Sequence, residues 1–210
     1  HDKTNHTTAT NSMFSLITGF VQWYLTKTEV KILVLGLDNA GKTTFLERVK
    51  SMYHPDGGAS SIPLDRIQPT IGLNMGRLQA YGCDVTMWDL GGQQSFRSIW
   101  NNYFEDADVL IYIVDSADED RFEEAKRTLH TILQHSKATA LPLLILGNKN
   151  DAPLAQDVEA LRALFEIDQI SANGRTTNLM SGSGKTSKGI ADAFEWVVTT
   201  VKNIKDTKVP

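Results

Sequence analysis

Residues 36 to 43 read Gly36-Leu37-Asp38-Asn39-Ala40-Gly41-Lys42-Thr43 and satisfy G-x-x-x-x-G-K-[ST] at every fixed position. A loop of this kind turns successive backbone N–H groups onto phosphate oxygens, and the first turn of a following helix adds unpaired donors and a positive dipole end. Asp38, Asn39, Ala40, Gly41 and Thr44 would contribute to that cradle. Lys42 would reach the outer phosphates, and Thr43 would set its hydroxyl on Mg²⁺. A glycine-rich turn that binds nothing is the bland alternative. It leaves unexplained why strand, loop and helix follow in the order the chemistry needs.

Three further loops carry compatible residues. Asp89-Leu90-Gly91-Gly92 gives D-x-x-G, an acid for the hydration shell of Mg²⁺ and then Gly92, whose bare backbone can approach a γ-phosphate. Gln93 follows, where an amide could orient an attacking water. Asn148-Lys149-Asn150-Asp151 fits N-K-x-D, in which the Asp151 carboxylate accepts two N–H bonds from guanine. Adenine has no matching donor pair, and an unpaired buried carboxylate disfavours it. Ser181-Gly182-Ser183-Gly184-Lys185-Thr186 holds a second G-K-T, but Leu179 stands where a full phosphate loop needs glycine, which rejects a second nucleotide site.

The elements that must position these loops are legible as apolar runs and helical periods. Lys31–Leu35 reads as a strand and Thr43–Tyr53 as a helix, ended by His54-Pro55-Asp56-Gly57-Gly58. Pro55 to Pro69 is a long polar loop of the kind that usually serves function. Leu73–Ala80 and Asp84–Trp88 read as two strands joined at Tyr81-Gly82-Cys83. The segment from Gln93 to Phe104 shows little regular period. Val109–Val114 and Leu143–Leu146 are buried-strand runs separated by a helical pattern at Phe122, Ala125, Leu129, Ile132 and Leu133. Val158–Phe165 reads as a short helix, Thr177–Met180 as a strand and Ile190–Ile204 as a closing helix. Alternating strands and helices with continuous apolar strands predict a mostly parallel sheet covered on both faces, the hairpin adding one antiparallel strand. In such a sheet ligands sit outside the carboxyl ends of the strands, where these loops fall.

Composition narrows the class. A chain of 210 residues, 41% apolar, can bury one core. A net charge of −4 offers no electrostatic case for nucleic acid. One cysteine, Cys83, allows no internal disulfide and suits a reducing compartment. The expected organisation is a polar extension or tag remnant over 1–12, an amphipathic helix over 13–26, a nucleotide-binding domain over 27–206 and a tail over 207–210. Met13, Leu16, Ile17, Phe20 and Tyr24 share one face of that first helix, which is too short to span a bilayer. It would either pack permanently on the core or move between the core and a membrane surface, the second favoured by its aromatic load.

GLDNAGKTT, PTIG, WDLGGQ and NKND together make the chain resemble small GTPases of the Arf family from Met13 to Ile204, and within it the Arf-related protein branch. The expanded loop from Lys42 to Thr70 and the FSLITGF start carry the likeness to that branch. The resemblance implies an α/β P-loop NTPase fold of the small G-protein type, with a six-stranded, mostly parallel sheet, one antiparallel strand and helices on both faces. It implies that Thr70, in Pro69-Thr70-Ile71-Gly72, binds Mg²⁺ and γ-phosphate only in the GTP state, and that Ser183-Gly184-Lys185 backs the guanine base with Asn148, Lys149 and Asp151. Leu73, Trp88 and Tyr103 would form the apolar effector patch, Leu73 standing where Arf proteins carry phenylalanine.

The resemblance further implies GTP and GDP as ligands and Mg²⁺ as cofactor. An exchange factor, an activating protein and effectors would be the partners of a cytosolic, reversibly membrane-associated monomer at the Golgi. In Arf proteins the strand pair Leu73–Trp88 also slides in register and displaces the amphipathic helix. Met13-Phe14 departs from the M-G-x-x-x-[ST] signal, so myristoylation is not expected, nor is a C-a-a-X lipid. No cis arginine stands in the motifs, so hydrolysis is expected to be slow unaided, and the Asp38 charge would repel γ-phosphate or misplace Gln93. Two rivals remain: a nucleotide-dependent interaction module with negligible hydrolysis, and an ATP-using kinase in which N-K-x-D would have no role.

Overall fold

The computed structural model describes residues 27–54, 56, 59, 61–172 and 174–207. The expected 1–12 extension, the Met13–Leu25 helix and positions 208–210 lie outside the described residues. Within them, in chain order, stand β1 (Thr28–Leu35), α1 (Lys42–Tyr53), β2 (Leu73–Ala80), β3 (Cys83–Leu90), β4 (Val109–Asp115), α2 (Phe122–Gln134) and the single turn α3 (Ser136–Thr139). β5 (Leu143–Asn148), α4 (Val158–Leu164), α5 (Ile167–Ala172), β6 (Thr177–Ser181) and α6 (Ile190–Asp206) complete the order.

The six strands form one sheet in the order β2-β3-β1-β4-β5-β6. β1 runs parallel to β3 and β4, β4 to β5, and β5 to β6, while β2 is antiparallel to β3 and closes one edge. This is the sheet the alternation of runs predicts. The central strands are apolar on both faces because both are covered. Ile32 and Val34 point into a layer with Phe45, Leu46 and Val49 of α1 and with Phe194, Val197 and Val201 of α6. Leu33 and Leu35, one position out of phase, join Leu129 and Ile132 of α2, Leu161 of α4 and Ile170 of α5 on the other face. β2 alternates exposed and buried residues, as an edge strand with one wet face does. Among the described residues no helix is long and apolar enough to cross a membrane.

Several boundaries differ from the sequence-based expectation, each for a local reason. β1 begins at Thr28 instead of Lys31 because Thr28 pairs with Cys83, so polar residues are carried into the strand by a partner. β3 correspondingly extends to Cys83–Leu90, which narrows the hairpin turn to Tyr81 and Gly82, both at positive φ (53° and 77°) as a tight two-residue turn prefers. α6 runs two residues beyond Ile204, where Lys205 bonds Asp108 and the Glu29 carbonyl. The stretch read as having little period is a 3₁₀ helix over Gln94–Tyr103; Phe96, Ile99, Trp100 and Tyr103 do fall at i, i+3, i+4 and i+7, a helical signal the sequence reading passed over. α3 and α5 were not expected. Each is too short to display a period, and α5 is anchored by Ile167 and Ile170 alone.

Candidate functional site

β1 delivers the chain to Gly36, and α1 leaves from Gly41, whose left-handed φ of 92° lets the loop turn directly into the helix. Lys42 opens α1 and is 5% exposed, its Nζ donating to the Leu37 carbonyl at 2.7 Å, so the ammonium folds back over its own loop. Burial lowers its pKa from 10.5 to about 8, with Asp89 and then Asp38 resisting the shift.

Beside it, three oxygens converge from three elements. Thr43 Oγ1, at the start of α1, donates to Asp89 Oδ2 at 2.6 Å and lies 2.6 Å from Thr70 Oγ1. Thr70 Oγ1, on the loop before β2, also donates to Asp89 Oδ2 at 3.2 Å. Asp89, near the end of β3, is fully buried, and its Oδ1 has no hydrogen-bond partner among the described residues. Burial raises its pKa, while the Thr43 hydroxyl and Lys42 hold it down. A buried carboxylate with one unsatisfied oxygen between two hydroxyls is a hard-oxygen donor set that fits Mg²⁺.

The two loops flanking β2 and β3 meet here. Gly91 N donates to Gly72 O at 2.9 Å, tying the segment after β3 to the segment before β2. Gly92 lies against the phosphate loop so closely that a Cβ would collide with the backbone of Leu37 and Asp38 and stand 2.5 Å from Lys42 Nζ, so only glycine fits. Gln93, exposed, caps the 3₁₀ helix. Lys42, Thr43, Thr70, Gly92 and Gln93 share an open cavity of about 360 Å³, which Leu64, Ile67 and Gln68 of the long loop also line. Asp38, Asn39, Gly41 and Thr44 also line it, and Ala40 is buried behind.

Two arginines that no motif announces reach the same end of the site. Arg121 Nη1 donates to the Asp38 carbonyl at 3.1 Å and lies 3.6 Å from its carboxylate. Arg97 Nε donates to the Gly92 carbonyl at 2.9 Å. The sequence motifs fix no residue at either position: Arg121 meets Asp38 across 83 positions, and Arg97, though only five residues after Gly92, lies beyond the end of D-x-x-G.

At the opposite end the loops after β5 and β6 interlock. Asn148 is 2% exposed. Its Nδ2 donates to the Ala40 carbonyl at 2.8 Å, and its Oδ1 accepts the Gly184 N–H at 3.0 Å. Lys149, at φ 62°, pairs with Asp115 at 2.6 Å. Ser183 Oγ donates to Asp151 Oδ1 at 2.5 Å, and this bond, ahead of nearby Lys185, holds the Asp151 carboxyl below its ordinary pKa. Lys185 Nζ stands 3.8 Å from Asp151. The loop residues named from the motifs therefore gather along one rim of the sheet, and Asn148 bonds two neighbouring loops.

The family model for the ADP-ribosylation factor family, Arf, matches residues 16–201. This chain belongs to the Arf family. It is 34% identical to ADP-ribosylation factor-like protein 3 of Saccharomyces cerevisiae over 94% of this chain and 98% of that protein. It is 35% identical to human ADP-ribosylation factor-related protein 1 over 90% and 93% of the two chains. Among solved structures, the Arl6 BBS3 small GTPase of Trypanosoma brucei, with bound nucleotide analogue GppNp, superposes with a TM-score of 0.73 at 26% identity, covering 84% of this chain and 99% of that one. The protein is therefore a GTP-binding small GTPase, an enzyme that hydrolyses GTP, and members of its family act through regulators and effectors.

Away from the Arf-family nucleotide loops, Trp88 and Tyr103 stack at 5.7 Å between ring centroids, tilted by 57°. Leu73 is 38% exposed on the neighbouring edge strand. Ile71 and Met75, which sequence reasoning did not single out, are exposed on either side of it and widen the apolar surface.

Proposed function

We propose that this Arf-family GTPase is a GTP/GDP switch that regulates Golgi and vesicle traffic through GTP-dependent membrane association and effector recruitment. The observation that carries the switch reading is Thr70, drawn in to hydrogen-bond distance of both Thr43 and Asp89. A loop threonine held beside the phosphate loop is what a bound triphosphate would need there, and its release after hydrolysis would free the loop. Lys42 and the backbone of Asp38 to Thr44 hold the phosphates, and Thr43, Thr70 and Asp89 are the residues that would hold Mg²⁺. Bound there, Mg²⁺ would supply positive charge that offsets the charge of the phosphates. Gly92 N–H meets the γ-phosphate, and Gln93 orients the attacking water. Asp151 reads guanine, with Asn148, Lys149, Ser183, Gly184 and Lys185 framing the base.

Hydrolysis is slow unaided, on the order of 10⁻⁴ s⁻¹, and an activating protein's arginine raises it by roughly 10⁵. Arg97 and Arg121 are committed to Gly92, Glu124, Asp38 and Asp118, which supports the need for an outside arginine. The protein acts as a monomer with an exchange factor, an activating protein and effectors. The apolar surface of Leu73, Trp88 and Tyr103 receives the effectors, and the amphipathic sequence Met13–Leu25 meets the membrane. Likeness to ADP-ribosylation factor-related protein 1 supports the branch and hence the trafficking role.

Vesicle sedimentation of the full chain loaded with GDP or a non-hydrolysable GTP analogue tests this reading. More protein should pellet with the GTP form. Equal pelleting of both forms removes the coupling between nucleotide and membrane.

A further inference from the structure

Two carbonyl groups in the segment after β3 are held from outside it. The buried Trp100 indole Nε1 donates to Gly91 O at 3.1 Å, and Arg97 Nε donates to Gly92 O at 2.9 Å. A trans peptide is a rigid plane whose C=O and N–H point in opposite directions, and no described peptide bond is cis. Holding Gly91 O therefore aims the Gly92 N–H, and holding Gly92 O aims the peptide that begins Gln93. Trp100 is locked by core packing. Arg97 is locked by α2: its Nη2 donates to Glu124 Oε1 at 2.7 Å, and its Nη1 to Thr128 Oγ1 at 3.4 Å.

The Arg97 guanidinium is thus a bracket between the Gly92–Gln93 peptide and a helix whose Leu129 and Ile132 sit in the core. As a contributor to folding the ion pair is weak, because its two side chains are 18% and 40% exposed. As a guide for one peptide plane it is well made. A guanidinium has donors fixed in a fork and serves a carbonyl and a carboxylate at once, which a lysine ammonium does only without directional control.

We infer that the Arg97–Glu124 pair is a positioning device for GTP hydrolysis, presenting Gln93 to the attacking water. The inference rests on the reading of Gln93 as the water-orienting residue. Arg97 touches no reacting atom, and it acts through the Gly92 carbonyl. Small misplacements of a reacting group are expensive in rate and nearly silent in binding. The pair should therefore govern the chemical step and leave the hold on nucleotide intact.

Single-turnover hydrolysis and GTP affinity, measured on the full chain for Arg97→Ala, Arg97→Lys, Glu124→Gln and Gln93→Leu, test this. Arg97→Ala should slow hydrolysis by roughly ten- to a hundredfold, and Glu124→Gln by roughly fivefold, with GTP affinity within about twofold of the parent. Added guanidinium ion should restore part of the Arg97→Ala rate and none of the Gln93→Leu rate. Arg97→Lys should stay slow. Glu124→Gln is nearly isosteric and half-exposed, so it keeps the test valid should Arg97→Ala fail to fold. Parental hydrolysis by Arg97→Ala or Glu124→Gln beside a slow Gln93→Leu overturns the positioning role, as does an equal loss of rate and affinity. Parental hydrolysis by Gln93→Leu overturns the reading of Gln93 itself.

Discussion

A lysine ammonium held at 5% exposure with a backbone carbonyl as its bond partner is in tension with its surroundings, and a triphosphate would relieve that tension. The folded pKa of Lys42, about 8, lies below its ordinary 10.5. The folded protein then binds fewer protons than the unfolded chain between those values, so burial of Lys42 penalises stability fully below about pH 8, and the penalty fades as pH rises toward 10.5. Phosphate charge favours the ammonium and raises the pKa again. Binding of nucleotide near pH 8 should therefore take up protons at Lys42, and binding well below that pH should not. Calorimetry in buffers of different ionisation enthalpy reads the difference, and Lys42→Met should abolish it. Asp151 allows a second residue-scale test. Asp151→Asn should cut the preference for GTP over ATP by roughly a hundredfold in competition binding, because the matched acceptor pair is lost. Both residues were legible in the sequence, since each belongs to a motif whose spacing is local.

At the scale of elements, α1 does more than open on the phosphate loop. Glu47, in mid-helix, is 2% exposed and accepts the Ile62 N–H at 2.6 Å and Lys50 at 3.0 Å. It pins the long loop to the helix eight residues before Thr70. Glu47→Ala should destabilise the protein by about 1–3 kcal/mol, read as a fall in Tm, and should raise amide exchange at Ile62 and toward Thr70. Exchange unchanged at Ile62 would show that the loop is held elsewhere. The helical period of Thr43–Tyr53 was readable, yet a charged residue in mid-helix reads as solvent-facing. Its burial depends on a loop whose course no period describes. The 3₁₀ helix over Gln94–Tyr103 was legible too, since Phe96, Ile99, Trp100 and Tyr103 recur at helical spacing, but the two glycines before it masked the pattern.

Across the whole molecule, Asn148 joins the loop after β1 to the loop after β6 from its own place at the end of β5. Losing two buried hydrogen bonds should loosen the entire rim at once. Asn148→Ala should speed release of guanine nucleotide by roughly tenfold while leaving the ratio of GTP to ATP affinity where it was, in contrast to Asp151→Asn. A changed purine ratio in fluorescence-release measurements would show that Asn148 discriminates between purines as well as bracing the loops that frame the base. The sheet itself was foreseeable as a whole, because β4 and β5 are apolar on both faces and parallel strands require covering layers.

Residue order alone determined what short range can encode: the phosphate loop, D-x-x-G and N-K-x-D, the alternation of strands and helices, and membership of a GTP-hydrolysing family. The folded chain decided which distant groups complete them. Arg121 meets Asp38 across 83 positions, Asn148 meets Ala40 across 108, and Arg97 joins Gly92 to Glu124 across 27. Contacts of that kind have no spacing to read. They arise when strand register and helix packing bring separate loops to one rim, and backbone carbonyls left without partners there are claimed by the nearest donors.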